Sequence, residues 1–251
     1  MAWSEQVFRY CERGHDPAFW AEPFNALSNL AFLLAAGLAL RRLDLRRLPG
    51  GGGEAGQADT RDRAALLAVI AIVAAVGLGS FLFHTFATRW ARLADVVPIG
   101  LFMGAYLALA LRLFLGLGWP LIAAVLAGFV VVTAAASSVA CPAGLSSATD
   151  YAREPCLKGT IGYAPALLAL LVTGALLRAR HPAGRQLLAA ALIFLAAMVL
   201  RWLDRDLCPA TMLLGRVRGT HALWHLLNAA TVYILLRAAI DHARSRPPAA
   251  T

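Results

Sequence analysis

Charge is what this sequence lacks. Only 15% of its residues are charged, where a soluble domain carries roughly a quarter, and the shortfall excludes an ordinary water-soluble fold. Lysine is almost missing: of 23 basic residues, Lys158 is the one lysine and the others are arginines. The net charge of +9 is scattered over loops and the ends of apolar runs rather than gathered into a patch. That pattern reads as membrane flanking and excludes a nucleic-acid partner. Residues 1–20 are polar and mixed in charge, without a basic stretch followed by an apolar core, so no cleavable signal is expected before the first apolar run. There is no internal repeat and no pair of broken apolar segments, the marks of a transporter built from two halves.

What the sequence has is apolar length. Hydrophobic residues make up 60% of the 251, the mean hydropathy is +0.66, and runs such as Ala64–Phe83 and Leu121–Ala136 are long enough to cross a bilayer. The reading is an all-α integral membrane bundle of seven transmembrane helices forming one unit over 1–251. Spans are expected near 23–40, 64–84, 95–115, 119–138, 161–177, 187–203 and 220–240. Residues 1–22 form an outer N-terminal segment, and 41–63, with four consecutive glycines, a flexible cytoplasmic loop. The proline-containing tail, 244–251, is read as disordered. A small excess of arginine on the inner segments favours the N terminus outside and the C terminus inside. The Arg, Ala, Leu and Gly bias suggests a GC-rich bacterial genome and hence an inner membrane. Seven spans also put Cys11, Cys141, Cys156 and Cys208 all on one face. Cysteines confined to one side fit an oxidising compartment such as a periplasm, with two disulfides expected and three pairings open.

Ionisable side chains inside spans are expensive, so each is a functional candidate. The second span runs outward to His84, with Ser80 one turn earlier. Asp95 opens the third span on that side, and the seventh begins there with His221 and His225, four apart and therefore on one helix face. Three histidines and an aspartate, distant in sequence, converge at one depth. Three neutral imidazoles suit zinc and leave a fourth position open, where a water's pKa would fall toward about 7. Asp95 could then take a proton, and Ser80 could hydrogen-bond the water or a developing oxyanion. Taken singly, Ser80 also reads as a hydroxyl bonded back to its own helix, and an HxxxH pair as two interfacial histidines. His15, His181 and His242 read as surface residues. Trp90, Trp119, Trp202 and Trp224 read as interfacial anchors, with Trp224 also able to line a cavity.

These residues resemble a known group. Tyr10–Glu12 (YCE), Phe19–Asn29 (FWAEPFNALSN), Gly79–His84 (GSFLFH) followed by Asp95 and Pro98, and His221–His225 (HALWH) together resemble the alkaline ceramidase family. That family sits within a wider membrane-hydrolase superfamily that includes the adiponectin receptors. The resemblance implies a seven-helix fold, zinc held by His84, His221 and His225, and catalytic roles for Ser80 and Asp95. It also implies a disulfide between Cys11 and Cys208, leaving Cys141 with Cys156. Calcium, which eukaryotic members bind through the N-terminal segment, would fall to Glu12, Asp16 and Glu22, although Arg9 and Gly14 stand where an aspartate and an asparagine are expected. The alternative is that Glu12 and Glu22 pair with Arg9 or Arg13. The implied function is zinc-dependent hydrolysis of the amide of ceramide or another N-acyl lipid drawn from the bilayer. Two rivals are an adiponectin-receptor-like signalling protein with a structural zinc, and a haem protein using two of the histidines axially.

Overall fold

Within hydrocarbon a spanning segment must satisfy its own backbone, which restricts apolar runs of this length to helix. The computed structural model describes residues 2–44, 54–139, 156–213 and 215–245. Its helices are α1 (Pro23–Ser28), α2 (Leu30–Asp44), α3 (Glu54–Phe86), α4 (Arg89–Leu115), α5 (Trp119–Ser138), α6 (Ala164–Leu177), α7 (Pro182–Leu203) and α8 (His221–Ser245). Among the described residues seven helical stretches are long and apolar enough to cross a membrane, α1 and α2 jointly forming the first. The fold is the expected all-α, seven-helix membrane bundle.

Several boundaries differ from those expected. The first span is broken at Asn29 into α1 and α2. Helix takes both ends of the expected 41–63 loop, because α2 runs to Asp44 and α3 starts at Glu54; helix-forming polar residues extend a span beyond its apolar part. α4 starts at Arg89, capped by the Thr88 hydroxyl on the Ala91 amide, so Asp95 lies nearly two turns inside it rather than at its opening. A 3-10 run over Cys156–Tyr163 leads into α6, and a short hairpin pairs Met212–Leu213 with Arg216–Val217 before α8. Of the expected tail, residues 246–251 lie outside the described residues, as does Cys141.

The main core fills the space between α2, α3, α4 and α8, with Phe32, Val73, Tyr106 and Leu236 at its centre. Tyr106 spends its hydroxyl on the Leu235 carbonyl at 2.9 Å. α5 contributes only Ile122 to the buried set, and Val130–Val132 point outward, as suits a helix facing lipid. The N-terminal segment straps the α3–α4 turn: Val7 donates its amide to Ala87, and Arg89 donates to Glu5. A disulfide joins Cys11 to Cys208, 197 residues away, as the resemblance implied. Cys156 is disulfide-bonded too.

At the opposite face, Arg42 makes a two-pronged contact with Asp241, both bonds 2.9 Å. His181 and His242, expected as surface residues, are half-buried and bonded to each other at 2.7 Å.

Candidate active site

Two close backbone approaches assemble the site. At Gly79 a methyl group would lie 1.8 Å from the Ala94 carbonyl oxygen, so only glycine lets α3 touch α4 there. The next residue on each helix is a site residue, Ser80 and Asp95. The second approach is at Gly219, with φ of +70°, where a methyl would fall 2.2 Å from Asp204 Oδ1 and 2.6 Å from Cys11 Cβ. The space belongs to Asp204, which follows α7. Its Oδ1 accepts the amides of Thr220 at 2.7 Å and His221 at 2.9 Å, and its Oδ2 accepts the Cys11 amide at 3.0 Å. One carboxylate therefore caps the N-terminus of α8, where negative charge is favoured, and fixes the histidines that follow.

His84, His221 and His225 offer ligand atoms that all lie within 4.8 Å of one another, and all three are buried. The protons on two of them follow from their partners. His84 Nδ1 faces Glu22 Oε2 at 2.5 Å; an ionised carboxylate only accepts, so Nδ1 carries the proton and Nε2 a lone pair. That Nε2 is buried without a hydrogen-bond partner. His225 Nδ1 lies 2.7 Å from the Ser28 hydroxyl, which donates its own proton to the Asn25 carbonyl. Ser28 must accept from Nδ1, leaving His225 Nε2 as an acceptor 3.5 Å from Ser80 Oγ. His221 stacks on Tyr10, ring centroids 3.7 Å apart, and its Nδ1 is buried without a partner. Acceptors behind imidazoles that present lone pairs inward are the usual setting of a bound metal. The donor set and the orphaned nitrogens fit zinc.

Behind Glu22 stands Arg13, only 3% exposed. Its Nε donates to Glu22 Oε1 at 2.5 Å. One terminal nitrogen serves the Asp16 and Ala18 carbonyls, and the other the His84 and Thr85 carbonyls at the end of α3. All five guanidinium protons are thus used. Burial pushes the Glu22 carboxyl up, but His84 together with hydrogen bonds from His84, Asn25 and Arg13 outweighs it and holds the group below the ordinary range. The pairing of Glu22 with Arg13 is one alternative raised from the sequence. Glu12 pairs instead with Arg218 at 3.0 Å and accepts the amides of Phe24 and Asn25. Asp16 is exposed and holds the Ala18 amide. The three carboxylates expected for calcium do not converge, and guanidinium groups occupy the cation positions beside two of them. Among the described residues the histidine trio is the only group of three or more His, Cys, Asp or Glu side chains close enough to hold a metal. The residues do not fit calcium.

Asp95 is buried, on the turn of α4 that Gly79 lets approach Ser80. Both line a cavity of about 400 Å³ that also touches His221 and His225 and runs down between apolar walls to Tyr106 and Leu235. Of the residues singled out in the sequence, Ser80, His84, Asp95, His221 and His225 come together, and Trp224 lines the cavity. Those the sequence reading missed are the supports, namely Asn25, Ser28 and Asp204; the SN and NALS letters of the Phe19–Asn29 motif were the available signal.

The arrangement, a buried imidazole trio and a carboxylate at the head of an apolar cavity, suits hydrolysis of a lipid. The ceramidase family model matches residues 7–246. No curated protein matches the chain at significance. A match running from the N-terminal strap to the end of α8 takes in every element that builds this site, and the chain belongs to the ceramidase family, which marks it as a membrane amide hydrolase acting on lipid.

Proposed function

We propose that the chain is a zinc-dependent hydrolase cleaving the linear amide of ceramide or a related N-acyl lipid, releasing a fatty acid and an amine such as sphingosine. The observation that carries this reading is the proton bookkeeping at the trio: Glu22 and Ser28 take the Nδ1 protons of His84 and His225, so that Nε2 of each is left to bind a metal. Zinc held by His84, His221 and His225 supplies Lewis acidity, polarising an acyl carbonyl and acidifying water at neutral pH. The acyl chain lies along the apolar cavity toward Tyr106 and Leu235, which brings the amide beside Ser80 and Asp95. Asp95 takes a proton from the attacking water and hands it to the departing amine. Ser80, beside Asp95 in the cavity wall, offers its hydroxyl proton where negative charge develops on the carbonyl oxygen. Cavity walls keep bulk water from the carboxylate and strengthen these interactions. The oxidised Cys11, Cys156 and Cys208 lie on the site's side of the bundle and support a site facing an oxidising compartment, with the N terminus outside in a bacterial inner membrane.

The test is metal analysis of the purified protein together with hydrolysis of a panel of N-acyl lipids before and after chelation. Loss of zinc and hydrolysis together, both restored by zinc, is the expected result. Hydrolysis that survives full chelation would overturn the zinc role, and a zinc-loaded protein inert toward every N-acyl lipid would favour a receptor.

A further inference from the structure

One ring in the site comes from outside the membrane-spanning helices. Tyr10 belongs to the N-terminal strap, ahead of the first span, which begins at Pro23. It nevertheless lies flat on His221, ring centres 3.7 Å apart and planes 18° from parallel. Its centre is 5.0 Å from that of His84, and it lines the cavity together with Ser80, Asp95 and His225. A strap residue therefore packs against two of the three imidazoles.

The fold fixes this ring from both sides. Cys11, the next residue, is tied to Cys208 by the disulfide and to Asp204 Oδ2 through its amide at 3.0 Å. The other oxygen of that carboxylate takes the His221 amide at 2.9 Å. Tyr10 and His221 are thus set against each other by one side chain, Asp204, across almost the whole length of the sequence.

Phenylalanine would cover the histidine as well; what tyrosine adds is a hydroxyl. The strongest charged neighbours of that hydroxyl are Arg201 and then Asp95, both in the cavity wall, so it stands on the cavity side of the ring. A guanidinium can only donate. Toward Arg201 the phenol oxygen therefore accepts, and its own proton is left to give. Arg201 is held in turn by the Lys158 carbonyl and the Thr160 hydroxyl, both at 3.0 Å.

We infer that Tyr10 is a catalytic residue whose hydroxyl donates a hydrogen bond to the carbonyl oxygen of the bound lipid amide, beside His221 as Ser80 does beside His225. The inference rests on the hydrolase reading for the identity of that oxygen. An oxygen held at the trio comes within reach of a group lying over His221, and a donor fixed there in advance stabilises negative charge as it develops. The phenol keeps its proton throughout, so no covalent step is asked of it.

The test compares the full zinc-loaded chain with Tyr10→Phe, which keeps the stack on His221 and removes one oxygen. Turnover is measured on the panel of N-acyl lipids. Binding of palmitoyl hydroxamic acid, read as thermal stabilisation, is the second measurement; it offers the trio a carbonyl oxygen and needs no turnover. Tyr10→Phe should keep its zinc and lower kcat roughly 10²-fold with KM little changed, the usual loss for one oxyanion donor. The hydroxamate should bind it about tenfold more weakly, the worth of one hydrogen bond. A Tyr10→Phe protein that matches wild type in both measurements would overturn the inference and leave the hydrolase reading standing, with the ring serving only to cover His221. Loss of zinc from Tyr10→Phe would overturn it too, because the hydroxyl would then serve the metal site rather than the substrate. If neither protein cleaves any lipid, yet wild type holds the hydroxamate more tightly than Tyr10→Phe, the donor stands and the hydrolase reading falls.

Discussion

α8 carries histidines at both ends, and the two ends use them differently. At its start, His225 gives its Nδ1 proton to Ser28, while His84 across from it gives one to Glu22, and the inward nitrogens are left as lone pairs. At its far end, His242 meets His181, whose Nδ1 already accepts the Ala183 amide at 3.0 Å to cap α7. His181 Nε2 must then carry the proton and donate it to His242 Nδ1. Both clusters bring imidazoles within bonding distance, yet only the first aims several lone pairs at one point. The lesson is that proximity of histidines does not define a metal site; the direction in which their second nitrogens are committed does.

The sharpest way to break the comparison is to remove one histidine from each end. His225→Ala should abolish bound zinc and lower lipid hydrolysis by at least about a thousandfold, since removing the metal's ligand removes the Lewis acid. His242→Ala should keep full zinc occupancy and cost only about 1 kcal/mol of stability, the worth of one hydrogen bond. Equal loss of zinc in both variants would mean that the two clusters do not differ in kind. Asp95→Asn should come next, with zinc retained but kcat lower by roughly 10²–10⁴, the usual worth of a general acid–base group. Elemental analysis and turnover on the same sample separate these two outcomes.

A smaller effect tests the support behind the trio. Glu22→Gln keeps an acceptor at His84 but removes its charge and strands Arg13, a buried cation with all other donors committed. Zinc affinity, measured by competition with a chelator, should fall roughly 10–100-fold, the usual cost of losing such a partner. If affinity is unchanged, the Arg13–Glu22 pair serves only to anchor the strap to α3.

These supports also mark where sequence reading stops. The trio was legible because His221 and His225 are one turn apart and His84 follows Ser80 at the same spacing. Glu22 was visible too, with Arg13 as one alternative partner, but its contact with His84 was not. Arg13 and the His84 carbonyl are 71 positions apart, and a carboxylate in that N-terminal segment reads equally as a calcium ligand. Ser28 looked like any serine in a helix, because local bonding to its own backbone is the default for a hydroxyl there. Asp204 sat in a loop with no pattern, and its work, capping α8 and holding the Cys11 amide, exists only once α7 and α8 are adjacent. Span number followed from apolar length alone; the break at Asn29 and the extended ends of α3 and α4 did not, since polar helix formers carry no hydropathy signal.

The smallest expected effect concerns pH at the far cluster. Burial holds His181 below its ordinary range, so the folded protein favours the neutral ring, and the Ala183 amide requires its Nδ1 unprotonated. A proton taken up there goes preferentially to the unfolded chain. The stability contributed by this pair is therefore present above the unfolded histidine pKa of about 6.5 and fades as pH drops below it. His181→Asn keeps an oxygen acceptor for the α7 cap and removes the titration. The melting temperature of wild type should fall between about pH 7 and pH 5 by more than that of His181→Asn, measured on zinc-loaded protein at both ends of the range so that release of metal is monitored separately. Parallel melting curves for the two proteins would show that the far pair, unlike the trio, has no stake in which nitrogen holds the proton.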